Sequence, residues 1–314
     1  MRIHPVIPIW LMAILCVIMV VVKRKGILPY IRQILIVVLL FIINLRIMIP
    51  DGNVESSVQK MNAYVLFVVD DTISMLARDY KGETERLTGV KADCENIIDK
   101  LSGAKFSVIS FDNYAKVLSP FSNDTEFAKN SINSISPIDE LYAKGSSMNI
   151  CKDTMMEGLK NAKEKGDGSV ILFFLSDGEN TNGDTLKSFH EAADYIDYGA
   201  VLGYGTQEGG VMYTKAFYEE EEEIVQDTTD YPYKDAVSKI DESNLKQMAE
   251  DMGIRYINMN TGNEIEDVLK EIKGNTEVEM EITEETGYRE CYYFFVFPLV
   301  LLLIYEFIVN KRSV

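Results

Sequence analysis

Two aspartates and a short series of hydroxyls are the residues whose types and spacing best suit chemistry. Asp70 follows the apolar run 62–69 (NAYVLFVV) and opens Asp70-Asp71-Thr72-Ile73-Ser74, so Asp70, Thr72 and Ser74 alternate along one loop. Asp177 follows a second apolar run, 169–175 (SVILFFL), in Ser176-Asp177-Gly178-Glu179-Asn180. In an open parallel sheet, ligand sites form beyond the carboxyl ends of the strands, where strand order switches. Neighbouring strands would therefore bring Asp70 and Asp177 together. Two carboxylates plus hydroxyls make a hard, oxygen-only site. Such a site suits Mg²⁺ or Ca²⁺, and Mg²⁺ is favoured where water supplies several ligands. The competing reading is that both aspartates only cap helices and hold turns.

Other chemistries lack their residues. Two histidines, and four cysteines with no CxxC pair, exclude a zinc hydrolase. A formal charge of −18 argues against a general binder of nucleic-acid backbone. No GxSxG elbow, Walker A loop or Cys–His motif is present. An aspartyl phosphatase of the haloacid-dehalogenase type needs Asp-x-Asp-x-Thr, and Thr72 stands where the second acid belongs. The expectation is that the chain is not an enzyme. Cys94 and Cys151 read as buried thiols, Met155 and Met156 as core, His190 as surface, and Asp71 as facing solvent or a helix N-terminus.

The elements that must position these residues alternate in character. Strand patterns at 62–69, 105–111, 115–118, 169–175, 199–203 and 254–259 are interleaved with helical patterns. The latter lie at 85–101, 127–135, 149–162, 186–196, 242–252 and 264–272. This predicts a Rossmann-like, doubly wound, mostly parallel α/β sheet with helices on both faces. An insertion at 209–240 carries five glutamates, Glu219–Glu223, which read as a solvated hairpin tip, with a calcium or basic-partner site as the alternative. Residues 275–283 (NTEVEMEIT) alternate polar and apolar, as a half-exposed strand or stalk does.

Apolar runs at 6–22, 34–49 and 292–309 flank this region, against the roughly 17–25 residues a spanning helix needs. The second is interrupted by Asn44 and Arg46, and Glu306 in the third must reach an interface or a partner. No small-x-small site follows the first run, so an uncleaved anchor is expected. Lys23, Arg24, Lys25 and Arg32 lie between the first two runs, and Lys311 and Arg312 follow the third. The positive-inside rule places both groups in the cytoplasm and 51–290 outside. That segment holds 23 basic and 48 acidic side chains, a net −25. The expected layout is two transmembrane helices in 1–50, an extracytoplasmic domain at 60–274, a stalk at 275–290 and a last transmembrane helix at 291–310.

Asp70-x-Thr72-x-Ser74 after an apolar strand resembles the metal-ion-dependent adhesion site (MIDAS) of von Willebrand factor type A (VWA) domains. Thr72 replaces the usual serine there, and Asp177 matches the family's later aspartate. The family's threonine, usually in Gly-x-Thr, falls on Gly145-Ser146-Ser147, with Ser147 the first choice and Ser146 the second. Residues 111–120, 200–210 and 237–250, together with the membrane layout, resemble Bat-type bacterial membrane proteins, named for aerotolerance. The resemblance implies Mg²⁺, or Mn²⁺ or Ca²⁺, at Asp70, Thr72, Ser74, Ser147 and Asp177. It implies a protein partner whose acidic side chain completes the octahedron, in a cell-envelope complex with other Bat-type proteins. It also implies a MoxR-type AAA ATPase as a cytoplasmic partner. The alternative is a membrane scaffold whose metal site has decayed.

Overall fold

The computed structural model describes residues 2–22, 26–139, 143, 145–214, 221–229, 231–262 and 264–312. The expected basic group Lys23-Arg24-Lys25, Lys144, and Glu219 and Glu220 lie outside these residues. The chain divides into two compact units, Met1–Ser57 with Ile282–Val314, and Val58–Glu281.

The second unit is built on a six-stranded sheet. Its strands are β1 (Ala63–Asp70), β2 (Lys105–Phe111), β3 (Ala115–Ser122), β4 (Ser169–Ser176), β5 (Tyr198–Gly203) and β6 (Arg255–Asn258). They lie in the order β3-β2-β1-β4-β5-β6. All neighbours run parallel except β2 and β3, which form a hairpin. The order reverses between β1 and β4, and this is the doubly wound switch point. Side chains of β1 alternate between two cores, as strand geometry requires. Val65, Phe67 and Val69 face one, and Tyr64, Leu66 and Val68 the other. Phe67 stacks on Phe106 of β2 and Phe173 of β4, with centroids 6.3 and 5.8 Å away.

The first core is covered by α3 (Arg86–Lys100), α4 (Thr125–Asn133) and α7 (Ile265–Asn275), and the second by α5 (Lys152–Glu164) and α6 (Glu242–Met252). Asp124 and Asp241 cap α4 and α6. Two elements differ from the sequence pattern. The helix expected at 186–196 shrinks to a 3₁₀ segment, His190–Tyr195. Its preceding backbone is held from outside instead: Lys187 N donates to Asn149 Oδ1 at 2.8 Å, and Phe189 N to Asp251 Oδ2 at 2.7 Å. The strand expected to end at Leu118 continues through Pro120 to Ser122, because β3 is outermost and needs no N–H there.

The insertion forms three short ladders, pairing Gly210–Val211 with Val237–Ser238, Tyr213–Thr214 with Glu223–Ile224, and Gln226–Asp227 with Lys234–Asp235. Glu221, Glu222 and Glu223 are exposed.

The first unit contains α1 (Ile9–Val21), α2 (Ile27–Asn44) and α8 (Tyr293–Arg312). Among the described residues, Ile27–Asn44 is long and apolar enough to cross a membrane, with mean hydropathy 2.2. Ile9–Val21 and Tyr293–Val309 are shorter apolar helices. Thirteen residues at about 1.5 Å each reach well short of a hydrocarbon core of about 30 Å. Polar side chains join the helices. Arg32 Nε meets Glu306 Oε1 at 2.6 Å, and Gln33 donates to the Val22 carbonyl at 2.7 Å. Buried Asn44 takes the Ile7 amide at 2.8 Å and returns a bond to the Ile7 carbonyl at 3.0 Å. The partner Glu306 requires is thus Arg32, an arginine the sequence assigned to the basic cytoplasmic group. Strands Ile47–Met61 and Val278–Glu290 are neighbours in a separate three-stranded sheet with Arg2–Ile3. The pattern at 275–283 foreshadowed only part of the second.

Candidate metal-binding site

β1 and β4 pair in register, Ala63 opposite Ser169 and Val69 opposite Leu175, so Asp70 and Asp177 leave the same end of the sheet at the switch point. Both are buried. Asp70 Oδ1 accepts from Thr72 N at 3.0 Å and from the Thr72 hydroxyl at 2.6 Å, while Oδ2 accepts from Ser176 Oγ at 2.6 Å. Thr72 commits its one proton to Asp70, so at 2.9 Å Ser74 Oγ donates to Thr72 Oγ1. Burial first, and the Asp177 carboxylate second, push the Asp70 pKa up to about 7.

This donor set fits a small divalent cation. Mg–O bonds of about 2.0–2.1 Å place adjacent octahedral oxygens about 2.9 Å apart. The Thr72 and Ser74 hydroxyls already have that separation. With its one proton spent on Asp70 and one lone pair taken by Ser74, Thr72 keeps a lone pair for a metal. Among the described residues no cluster of three or more His, Cys, Asp or Glu side chains could hold one. The site has two carboxylates, and hydroxyls supply the remainder.

The two candidate serines differ in place. Ser146 lines a crevice of about 170 Å³ together with Thr72, Ser74 and Glu179, and its hydroxyl lies 3.0 Å from Thr181 Oγ1. Ser147 is fully buried and accepts from Asn149 N at 3.4 Å, capping the 3₁₀ turn Met148–Cys151. Asp71 does not face solvent. It is buried with Oδ1 unpartnered, and burial first and Asp112 second raise its pKa to about 7. Cys94, Cys151, Met155 and Met156 are buried, and His190 is exposed.

Sequence reasoning missed the residue that organises the site. Arg86, the first residue of α3, is 0% exposed. Its Nε and Nη2 grip Asp79 at 2.7 and 2.8 Å, and Nη1 reaches Asp177 Oδ2 at 2.8 Å and Ser238 Oγ at 2.6 Å. Further bonds go to the carbonyls of Ser74 (3.3 Å) and Ser238 (3.0 Å). Burial opposes the guanidinium charge, yet the Asp79 bonds and the Asp177 field raise its pKa above the ordinary value. Burial likewise opposes the Asp79 charge, but Arg86 and the Thr206 amide hold that carboxyl below its usual range. Asp177 is therefore bound on one oxygen by Arg86, and its other oxygen accepts from Glu179 N at 3.0 Å. No local pattern signals this network, since Ser238 lies 152 residues from Arg86.

Gly205 makes room for Arg86. Its φ is +114°, and a Cβ there would lie 2.6 Å from the guanidinium carbon. Gly205→Ala is expected to destabilise the protein by about 1–3 kcal/mol, read as a lowered thermal midpoint. An unchanged midpoint would show that the packing around Arg86 is loose.

Residues 65–179 match the family model described as von Willebrand factor type A domain. No curated protein matches the sequence. BatB from Bacteroides thetaiotaomicron is a similar solved structure, 23% identical, covering 68% of this chain and 97% of that one, with TM-score 0.52. An aerotolerance-related membrane protein from Bacteroides fragilis NCTC 9343 is 19% identical, covering 68% and 99%, also with TM-score 0.52. At those identities the shared property is the fold. With the 3-2-1-4-5-6 sheet and the Asp70-x-Thr72-x-Ser74 loop at its switch point, residues 65–179 match the von Willebrand factor type A domain, in a chain whose fold is similar to that of the two Bacteroides proteins.

Proposed function

We propose that this chain is a membrane-anchored, non-enzymatic binding protein whose type A domain captures a protein partner through a divalent cation. The carrying observation is the Thr72–Ser74 hydroxyl pair, spaced for adjacent octahedral positions and held by Asp70 beside Asp177. Mg²⁺ would be held by Asp70, Thr72, Ser74 and Asp177, with a third hydroxyl from Ser147 or Ser146, some directly and some through water; Mn²⁺ and Ca²⁺ are the other candidates. An acidic side chain of the partner would complete the coordination, so the cation's local charge overrides the acidic background at contact distance. The apolar helices would anchor the chain in a membrane, with Ile27–Asn44 as the one long enough to cross among the described residues, the domain outside the cell membrane and the basic segments inside. Bat-type proteins and a MoxR-type ATPase are the expected assembly partners. Protease added to intact cells tests that placement: cleavage within 58–281 supports it, and protection there rejects it.

Calorimetric titration of Mg²⁺ into the full chain in nanodiscs tests the metal site. One saturable site is expected, weakened on the order of 10–100-fold in Thr72→Val and in Ser74→Ala, variants that leave Arg86 and Asp177 in place. Binding unaltered in both would reject the site. A second reading has one observation behind it: Arg86 already pairs with Asp177, and on that reading the fold needs no metal and the domain is a scaffold. Partner capture that persists in chelator would favour that reading.

A further inference from the structure

The crevice at the hydroxyl pair has a second wall, formed by Ile73, Ile138, Ala143 and Met212. Ile73 is half-exposed although Thr72 and Ser74 on either side are buried. Met212 comes from the insertion and is fixed to the site loop. It bridges Ala77, and its carbonyl accepts from Val225 N at 3.0 Å. Next to this bridge the Arg78 guanidinium lies 4.2 Å from the Tyr213 ring centroid and 2.6 Å from Glu222 Oε2. The wall is thus built by clamping the insertion onto residues 77–78. Of the acids around it, Asp112 is paired with Lys116 at 2.6 Å and Glu222 with Arg78, which leaves Glu179 at the crevice and Glu221 and Glu223 on the same hairpin to make the local field negative.

We infer that the segment entering this crevice carries an acidic side chain next to an aliphatic one, presented on an otherwise basic protein surface. This rests on the metal-bridging reading and specifies its partner. The acid meets the cation, and the aliphatic side chain fills the wall between Ile73 and Met212. Beyond contact distance the segment 51–290, with net charge −25, repels an acidic approach. Basic residues around the acid therefore supply the steering.

The test uses the full chain in nanodiscs with Mg²⁺ and three eleven-residue peptides, each with one central aspartate. One has Asp-Leu flanked by lysines, one Asp-Ser flanked by lysines, and one Asp-Leu flanked by serines. Each methylene buried contributes roughly fourfold, so Asp-Leu should bind at least about tenfold tighter than Asp-Ser. The lysine-flanked form should also exceed the serine-flanked form at low salt. Ile138→Ser and Met212→Ser should abolish the leucine preference while Mg²⁺ titration stays unchanged. Normal Mg²⁺ binding with no leucine preference in the unaltered protein overturns this inference alone. Absence of Mg²⁺ binding, or equal peptide binding in chelator, overturns the metal-bridging reading and this inference with it.

Discussion

Arg86→Met is expected to lower the stability of the protein by about 3–5 kcal/mol, as breaking a buried ion pair from one side does. Methionine preserves bulk but strands Asp79, Asp177 and the Ser238 carbonyl, which Arg86 now satisfies from a fully buried position. At about 2–4 °C per kcal/mol for a domain of this size, the thermal midpoint falls by roughly 6–20 °C. Arg86→Lys rescues little, because a point charge with three donors cannot replace a planar fork serving both aspartates. A fall under about 2 °C would show that solvent or rearrangement replaces these bonds. The same network makes Asp177→Ala a poor probe of metal binding, since it also removes one of the two carboxylates that Arg86 pairs with.

The second large effect is expected at Arg32 and Glu306. Glu306 is 5% exposed and meets Arg32 between α2 and α8. Glu306→Leu leaves the arginine without its carboxylate among apolar helices, a cost of about 3 kcal/mol in a bilayer. Arg32→Met removes the glutamate's 2.6 Å bond to the arginine. The double variant restores most of the loss, because two apolar side chains need no partner there. Maleimide labelling of Cys291, half-buried just before α8, reads the packing. Labelling should accelerate in each single variant and return toward the unaltered rate in the double. Equal rates in all four proteins would show that the pair does not hold the helices.

Local pattern exposed what local physics controls. The all-apolar strands of β1 and β4 announced a sheet buried on both faces, and the aspartates ending them announced the switch point. Asp241 and Gly253 bracket α6, so its limits were readable. The 186–196 segment misled because its helical spacing is real, whereas Asn149 and Asp251 take its backbone amides from elsewhere in the fold. Ser147 was chosen over Ser146 by motif spacing alone. Which hydroxyl faces the crevice depends on Thr181, 35 residues from Ser146. The strand Ile47–Met61 was hidden because it begins inside an apolar run and continues through polar residues.

The flanks of the six-stranded sheet bear on how copies behave when crowded in a membrane plane. β3 carries Pro120 and Lys116 and slips register twice against β2, while β6 has only four residues. Both flanks are poor templates for a neighbour's strand, so this sheet is protected from extending through its backbone when molecules are concentrated side by side. At this sheet, growth of an assembly by strand addition is closed, and an ordered contact at either flank must be made through side chains.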